Sequence, residues 1–427
     1  MLFSILAFLA CLMIGVPIAF ALGLSSLTFL LLSKGIPLTI IAQRMFTGID
    51  VFPFMAIPFF ILAGELMNHA KITEKLVNFS DICIGHLKGG LGHVNIATSM
   101  FFAGITGSAV ADTSALGSML IPAMKKNGYD PDYSAAVTAA SSVVGPIIPP
   151  SIPMVIFSLI TGTSVGALFL AGFFPGVLLG ISLMVVNYII AHKRGYESAH
   201  ERSSLKMILI GFMNAIIPLL MPFIILFGIL GGIFTATEAS AVAVVYALVI
   251  GFFVYRNMKL KDLGPIFLAT AKTTGVVFLV IATANIFNWL MATENIPTKL
   301  ALFFTSNITN KIVLILVINA ILLFIGTFMD ATAAMVITVP ILLEITAPFG
   351  IHPVMLGTIV VLNLMIGLLT PPVGLCLFIA GNIAGISLER ITKAVLPFLA
   401  TEILVLLLVS FVEPISLYLP RAFGYIK

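Results

Sequence analysis

An aspartate lies among small and hydroxylated residues in an otherwise apolar part of the sequence. Asp112 follows Gly104-Ile-Thr-Gly-Ser-Ala-Val-Ala and precedes Thr113. Glycine lets the backbone leave helical geometry. The freed carbonyls, the hydroxyls of Thr106, Ser108 and Thr113 and the carboxylate are hard oxygen ligands that suit a small cation such as Na⁺. The alternative is a close-packed helix crossing in which hydroxyl groups satisfy the aspartate.

A second segment has the same composition. Gly326-Thr-Phe-Met-Asp-Ala-Thr332 contains Thr327, Asp330 and Thr332. Asp330 precedes a proline, Pro340, by the same spacing that separates Asp112 from its own proline. We therefore predict that the two aspartates are equivalent and that a second cation site lies here.

Two proline-rich segments cannot be continuous helices. They read Gly145-Pro-Ile-Ile-Pro-Pro-Ser-Ile-Pro153 and Gly367-Leu-Leu-Thr-Pro-Pro-Val-Gly374. Each proline removes a backbone donor and disfavours helix at the preceding residue, so each segment is predicted to be the unwound midpoint of a spanning helix. Freed carbonyls with Ser151 or Thr370 would complete a cation site, while the next half-helix directs a positive dipole end at an anion. A kinked helix is the alternative for either segment alone.

The composition identifies the elements that must position these residues. Of 427 residues, 60% are hydrophobic and 9% are charged, whereas about 25% are charged in a soluble domain. Charge-free runs such as Tyr133–Ala191 exceed the roughly 20 residues that cross a bilayer as a helix. The chain is predicted to be an all-α polytopic membrane protein, with residues 1–33 as a retained span. Its net charge of +4 gives no indication of nucleic-acid binding, and its three cysteines give none of disulfides or zinc.

Matching glycines and prolines indicate an internal duplication. Gly145, Pro149-Pro150 and Pro175 are spaced as Gly367, Pro371-Pro372 and Pro397 are. Basic residues at 192–206 and 256–261 are predicted to be cytoplasmic, with two helices between them. The repeats are then inverted, as in secondary transporters. The first, 1–206, has a re-entrant hairpin near 93–125 and a broken helix near 135–160; the second, 207–427, has them near 312–348 and 355–380.

The segments Gly104–Asp112 and Pro146–Ser151, together with Ala56-Ile-Pro-Phe-Phe-Ile-Leu-Ala-Gly-Glu-Leu-Met67, resemble the large membrane subunit of the tripartite ATP-independent periplasmic (TRAP) transporters. The resemblance covers almost the whole chain. It implies a sodium-coupled importer of organic acids in the bacterial inner membrane, without a cofactor. It also implies an elevator mechanism and two partners, a small four-helix membrane subunit and a periplasmic substrate-binding protein. The overall likeness favours the sialic-acid branch, and C4-dicarboxylates are the other substrate considered.

The resemblance also implies the placement of the site residues. Hairpin tips and unwound helices would jointly form two Na⁺ sites, with the substrate between the tips. The expected sodium-site residues are Gly104, Thr106, Ser108, Asp112, Thr113, Gly145, Ser151, Gly326, Thr327, Asp330, Thr332, Gly367 and Thr370. The expected substrate-site residues are Ser108, Pro149, Pro150, Ser151, Thr332, Pro371 and Pro372.

Two other functions compete with transport by a secondary carrier. Asp112 and Asp330 could share a proton and activate water, as in an intramembrane di-aspartyl protease. However, the matching proline breaks would have no catalytic purpose. A passive channel is the other alternative, and broken helices in both halves suit an occluded central site better than a continuous pore. The sequence therefore favours a transporter, not an enzyme.

Overall fold

The computed structural model describes residues 2–33, 36–198 and 200–426, and it is helical throughout that part of the chain. Seven helices are long and apolar enough to cross a membrane, or eight if one bent pair counts as a span. The α-helices are α1 Leu2–Met13, α2 Ile18–Leu32, α3 Thr39–Ile49, α4 Ala56–His69, α5 Ile72–Ile84, α6 Gly90–Thr106, α7 Ala109–Lys126, α8 Pro131–Ser142, α9 Ile152–Thr161, α10 Val165–Arg194, α11 Leu205–Leu230, α12 Ala236–Val249, α13 Leu260–Thr293, α14 Ile296–Asn307, α15 Lys311–Phe328, α16 Ala331–Thr346, α17 Pro353–Gly367, α18 Leu375–Ala384, α19 Leu388–Phe411 and α20 Glu413–Ala422.

The N-terminal apolar stretch, which the sequence predicts to be a retained span, forms two helices. Helix α1 ends at Met13, and α2 begins after Pro17, whose fixed φ suits the position before a helix. The two helices pack against each other. The hydroxyl of Ser4 donates to the carbonyl of Ser25 at 2.8 Å, which ties them together within the apolar surroundings.

The helix order of one half recurs in the other. In the first half, the helix pairs α6–α7 and α8–α9, each joined by a short segment, are followed by the long helix α10. In the second half, the pairs α15–α16 and α17–α18 are followed by the long helix α19. Helix α6 packs on α8 as α15 does on α17, whereas α7 packs on α18 and α16 packs on α9. Helices α7 and α16 thus contact the broken helix of the other half as well as that of their own. The predicted pair of helices between the basic segments is present as α11 and α12.

The two aspartates lie at different positions in their helices. Ser108 is the N-cap of α7 and Asp330 is the N-cap of α16. Their separation in sequence equals that of Gly145 and Gly367, so no insertion is needed between the hairpin and the broken helix. Asp112 lies one turn inside α7. Asp112 and Asp330 therefore occupy different positions relative to the start of their helices, although each precedes a proline within its helix by the same spacing.

Contacts at the two ends of α10 show which parts of the chain lie at each end of this helix. Arg194, its last residue, pairs with Asp130 at 2.9 Å and with Asp132 at 3.1 Å, at the start of α8. In its first turn, a Cβ at Gly166 would lie 2.9 Å from the Tyr425 hydroxyl, close to the C-terminus. Thirty residues of helix are about 45 Å long. The start of α8 and Tyr425 are thus at opposite ends of α10.

The start of α17 lies near the end marked by Tyr425. His352, the N-cap of α17, interacts electrostatically with Arg421 and Glu413 of α20. Helix α20 precedes Tyr425 directly and packs against both α10 and α17. Helices α8 and α17 therefore begin at different ends of α10.

Candidate functional site

The break between α6 and α7 is built by a glycine and a serine. Gly107 ends α6 in the left-handed region, with φ of +57°, which glycine adopts without a steric penalty. The Ser108 hydroxyl accepts a hydrogen bond from the Ala111 N–H at 3.4 Å and so caps α7. One turn later, Thr113 is buried and donates its hydroxyl hydrogen to the Ala109 carbonyl at 2.8 Å. Its oxygen lone pairs can still face a cation.

The first broken helix is unwound from residue 143 to residue 151, between α8 and α9. The Pro149–Pro150 peptide bond within it is cis. Ser151 is 1% exposed and N-caps α9, accepting from the Met154 N–H at 3.2 Å. Its own hydroxyl donates to the Pro146 carbonyl. Ser151 thus holds both sides of the break.

The starts of α7 and α9 lie side by side. A Cβ on Gly107 would lie 3.0 Å from the Ile152 backbone nitrogen and 3.2 Å from the Pro150 carbonyl oxygen. A Cβ on Gly104 would lie 3.6 Å from the Pro149 carbonyl oxygen. Two helix N-termini therefore converge, and both are capped by neutral serines. Their partial positive charges add at this point.

The Asp112 carboxylate lies against the unwound segment. Asp112 is fully buried. A Cβ on Gly145 would contact one of its carboxylate oxygens and would lie 3.2 Å from its Cγ and 3.3 Å from the Ser142 carbonyl oxygen. The absence of a side chain at Gly145 is what gives the carboxylate room. The Asp112 carboxyl group thus lies beside the unwound segment in the interior of the protein.

The corresponding region of the second half has a different arrangement. Gly326 and Gly367 meet backbone to backbone, since a Cβ on Gly326 would lie 3.1 Å from the Gly367 Cα. Thr327 is buried and donates to the Phe324 carbonyl at 2.7 Å. Asp330 is exposed, and its carboxylate accepts from the Thr332 N–H at 2.9 Å. The aspartate here is a helix cap at the surface of this chain, not a buried group.

The predicted site residues fall into two sets, one in each half, the first and the second cluster; contacts relate Gly104 to Pro149 and Asp112 to Gly145 in the first, and Gly326 to Gly367 in the second. The Pro371–Pro372 peptide bond in the second unwound segment is also cis, and the nearby Thr370 hydroxyl donates to the Ile366 carbonyl at 2.9 Å. The side chain of Thr106 lies outside the described residues. The first cluster has Gly104, Ser108, Asp112, Thr113, Gly145, Pro149, Pro150 and Ser151; the second has Gly326, Thr327, Asp330, Thr332, Gly367, Thr370, Pro371 and Pro372.

The chemistry open to these clusters is the binding of hard ions. In the described part of the chain, no group of three or more His, Cys, Asp or Glu residues is placed to hold a metal ion. Carbonyl and hydroxyl oxygens with at most one carboxylate suit Na⁺ better than a transition metal. The two aspartates have different environments, one buried inside α7 and one exposed at the start of α16. That asymmetry gives no support to a shared-proton protease.

Sequence reasoning missed the polar contacts that hold each broken helix to its neighbour. Asn363 of α17 donates to Asn319 of α15 at 2.8 Å, and Asn319 donates to Ser410 of α19 at 3.0 Å. In the first half, Asn95 of α6 donates to Thr138 of α8 at 2.6 Å. All of these side chains are buried. In the sequence these residues are recognisable only as polar residues within apolar helices. The sequence shows Asn363 in this way but does not show that its partner is Asn319.

Comparisons with known proteins agree with this architecture. The family described as the DctM component of the tripartite ATP-independent periplasmic transporter matches residues 5–415. The sialic acid TRAP transporter large permease of Vibrio cholerae is 42% identical over 99% of each chain. The C4-dicarboxylate TRAP transporter large permease of Rhodobacter capsulatus is 36% identical over 97% of this chain and 98% of that protein.

A solved structure shares the fold. The YdaH transporter of Alcanivorax borkumensis superposes on 97% of this chain and 99% of its own, with a TM-score of 0.59 and 14% identity, a likeness of fold alone. The family match and the two permeases carry the assignment further, because they cover almost the whole length of this chain. The chain therefore belongs to the DctM component family of the TRAP transporters and is a multi-pass transporter permease, not an enzyme.

Proposed function

We propose that this permease imports an organic acid of the sialic-acid or C4-dicarboxylate type across the bacterial inner membrane, coupled to Na⁺. The observation that carries this proposal is the convergence of the α7 and α9 N-termini beside the buried carboxylate of Asp112. The arrangement offers an anion position and a cation position next to each other.

The substrate carboxylate would lie at the converging N-termini. Ser108 and Ser151 cap these helices without charge, so the positive ends of both dipoles remain available to an anion. At the start of α16 the Asp330 carboxylate already occupies that role. An anion is therefore expected to favour the Ser108 and Ser151 side over the Asp330 side.

The first Na⁺ would lie between Asp112 and the unwound segment at Gly145. The cation would offset the negative charge of Asp112, which lowers the electrostatic cost of bringing in the substrate carboxylate. Ion and substrate then stabilise the same conformation, and this mutual effect is the coupling. The second Na⁺ would depend mainly on the backbone near Gly326 and Gly367 and on the Thr327 and Thr370 hydroxyls.

The halves would act as inverted repeats in an elevator mechanism. The start of α8 lies at the Arg194 end of α10, whereas the start of α17 lies near its Gly166 end. The starts of the corresponding helices α8 and α17 at opposite ends of α10 support inverted repeats and a binding site near the midplane of the membrane. The paired breaks, α6–α7 with α8–α9 and α15–α16 with α17–α18, would then move together as the transport unit.

The partners proposed are those that TRAP transport implies, a small membrane subunit and a periplasmic substrate-binding protein. The relatives' printed names include sialic acid and C4-dicarboxylate transporters. Both substrates present a carboxylate, which is the group that the converging N-termini would bind. The remainder of the substrate would then meet the second half.

Uptake into proteoliposomes tests the proposal. This chain and its small subunit are reconstituted, and candidate acids are supplied on their binding proteins under inward Na⁺ or K⁺ gradients of equal size. Uptake that requires both the Na⁺ gradient and the binding protein is the expected result. Uptake driven equally by K⁺, or uptake without the binding protein, would contradict the proposal.

A further inference from the structure

A glutamate lies in the middle of the buried face of α19. Glu402 has none of its surface exposed and belongs to a stripe that includes Phe398, Leu399, Val405 and Leu406. It is about 20 Å from the start of the helix and about 14 Å from its end. Because α19 is a candidate span, this places a carboxyl group deep within the membrane-spanning part of the protein.

Neither carboxyl oxygen of Glu402 has a hydrogen-bond partner among the described residues. An ionised carboxylate in such surroundings costs many kcal/mol unless a positive charge accompanies it. Helices α8, α17 and α18 pack against α19 and contain no Lys, Arg or His. A proton bound covalently to Glu402 is the counter-charge that needs no further ligand.

The ionisable groups of the packed elements lie elsewhere or are neutral. In α10, Arg194 pairs with Asp130 and Asp132 at the start of α8. On α19 itself, Lys393 pairs with Glu389 at 2.7 Å, two turns or more before Glu402. The remaining groups on these elements are Tyr133 of α8, Tyr188, His192 and Lys193 in the C-terminal part of α10, His352 before α17, Cys376 of α18, Arg390 of α19, and Glu413, Tyr418 and Arg421 of α20.

Glu402 is connected to the first cation cluster through one helix. Helix α18, which contains Cys376, packs against both α7, which contains Asp112, and α19, which contains Glu402. Cys376 and both carboxyls are fully buried. A charge on Glu402 would therefore act on a cation at Asp112 with little screening by solvent.

We propose that Glu402 is a proton-binding site linked to cation binding at Asp112. The proton occupies Glu402 when the Asp112 site is empty, and a cation at Asp112 favours its release, because two neighbouring positive charges repel each other. The linkage rests on the proposed Na⁺ site, whereas the proton on Glu402 does not. The equivalent position in α10 is glycine, Gly180, so this group belongs to one half only.

Infrared spectroscopy of the whole permease in lipid tests the bound proton. With ¹³C-glutamate labelling, a carbonyl band of a protonated carboxylic acid is expected near neutral pH, shifted by the isotope and missing in Glu402→Gln. Every other described glutamate is at least partly exposed, so Glu65→Gln is the matched control and should keep the band. The isotope shift in the unmodified protein gives the answer even if Glu402→Gln folds poorly. A labelled protein without this band would overturn the proposal.

Sodium titrations at roughly pH 6, 7 and 8 test the linkage. Where one proton leaves for each Na⁺ bound, Na⁺ affinity rises by up to about tenfold per pH unit, and Na⁺ reciprocally diminishes the infrared band. In Glu402→Gln the Na⁺ affinity should not vary over this range. The same pH dependence in Glu402→Gln as in the unmodified protein would refute the linkage. A permease that binds no Na⁺ at any pH would instead refute the proposed function, while the infrared result would still report on Glu402.

Discussion

Replacing Gly145 by alanine tests the contact on which the first cation site depends. The new Cβ would contact a carboxylate oxygen of Asp112 and would lie 3.2 Å from its Cγ. That oxygen is the free end of a rotatable side chain, so the carboxylate can turn away while the backbone stays in place. We therefore expect Gly145→Ala to displace the proposed Na⁺ ligand without unfolding the protein.

The expected loss of Na⁺ affinity in Gly145→Ala follows from the cost of fitting the new methyl group beside the Asp112 carboxylate. Inserting a methyl group into a filled interior costs about 1 to 3 kcal/mol. If the carboxylate avoids that cost by leaving its position, a similar amount is lost from cation binding. Na⁺ affinity should then fall by about 5- to 150-fold.

Two other glycines provide controls. Gly275 in α13 has no neighbouring atom within 4 Å of a built Cβ, so Gly275→Ala should leave Na⁺ binding and folding unchanged. At Gly367, the new Cβ would lie 2.6 Å from the Gly326 backbone, which cannot turn aside. Gly367→Ala should therefore lower the free energy of unfolding by about 1 to 3 kcal/mol.

The assay combines Na⁺ titration of the purified permease with thermal unfolding in the absence of Na⁺. Gly145→Ala should have a near-normal unfolding temperature and weak Na⁺ binding, while Gly367→Ala should unfold at a lower temperature. Na⁺ affinity in Gly145→Ala equal to that of Gly275→Ala would refute the assignment of Asp112 to a cation site. Unfolding of Gly145→Ala at the temperature of Gly367→Ala would refute the argument that the carboxylate yields first.

Three further predictions address other parts of the site. Asp112→Asn should strongly weaken the Na⁺ dependence of uptake. Asp330→Asn should weaken it only slightly, because the Asp330 side chain is an exposed helix cap. Unchanged Na⁺ dependence in both variants would show that neither aspartate belongs to the site. Asn363→Ala should lower the free energy of unfolding by about 1 to 3 kcal/mol, since it leaves buried polar partners unpaired, and an unchanged unfolding curve would contradict this. The hydrogen bond from Lys311 lowers the pKa of Glu413 below its ordinary 4.5. This exposed pair should therefore add about 0.2 to 1 kcal/mol to the free energy of unfolding above pH 4.5, and this contribution should be lost as the pH falls through the lowered pKa. The thermal unfolding curves of Glu413→Gln and the unmodified chain should converge in acid, and a difference that stays constant with pH would be evidence against this.

Local chemistry made much of the fold predictable. Continuous apolar runs require helices in lipid, because only helices satisfy their own backbone there. Gly107 and the prolines at 149 and 150 forbid helix at identifiable points, and the structure has breaks at both. The four-residue turn between α1 and α2 was missed although Gly15 and Pro17 mark it, because the absence of charge from residue 1 to residue 33 was given more weight than these two turn residues.

The site was only partly predictable, because tertiary contacts determine which groups meet. Spacing alone paired Asp112 with Asp330, whereas the helix starts pair Asp330 with Ser108. The sequence does not show which residue begins each helix, because several residues suited to an N-cap, such as Thr106, Ser108 and Asp112, lie within two turns of one another. Burial of Glu402 likewise depends on which side of α19 faces the core.

The different positions of Asp112 and Asp330 bear on how the two halves could share the work of transport. If the aspartates were equivalent, each half would present the same charge to its ion, and the substrate would meet two similar surfaces. Instead, one half buries its carboxylate at Asp112 and keeps the neutral cap Ser108, while the other places its carboxylate at the cap, Asp330. An anionic group would then favour the first half, and hydroxyl or amide groups of the substrate would favour the second. Both halves thus have breaks in the backbone, and in the proposed site the asymmetric placement of the two carboxylates would give the bound substrate a direction.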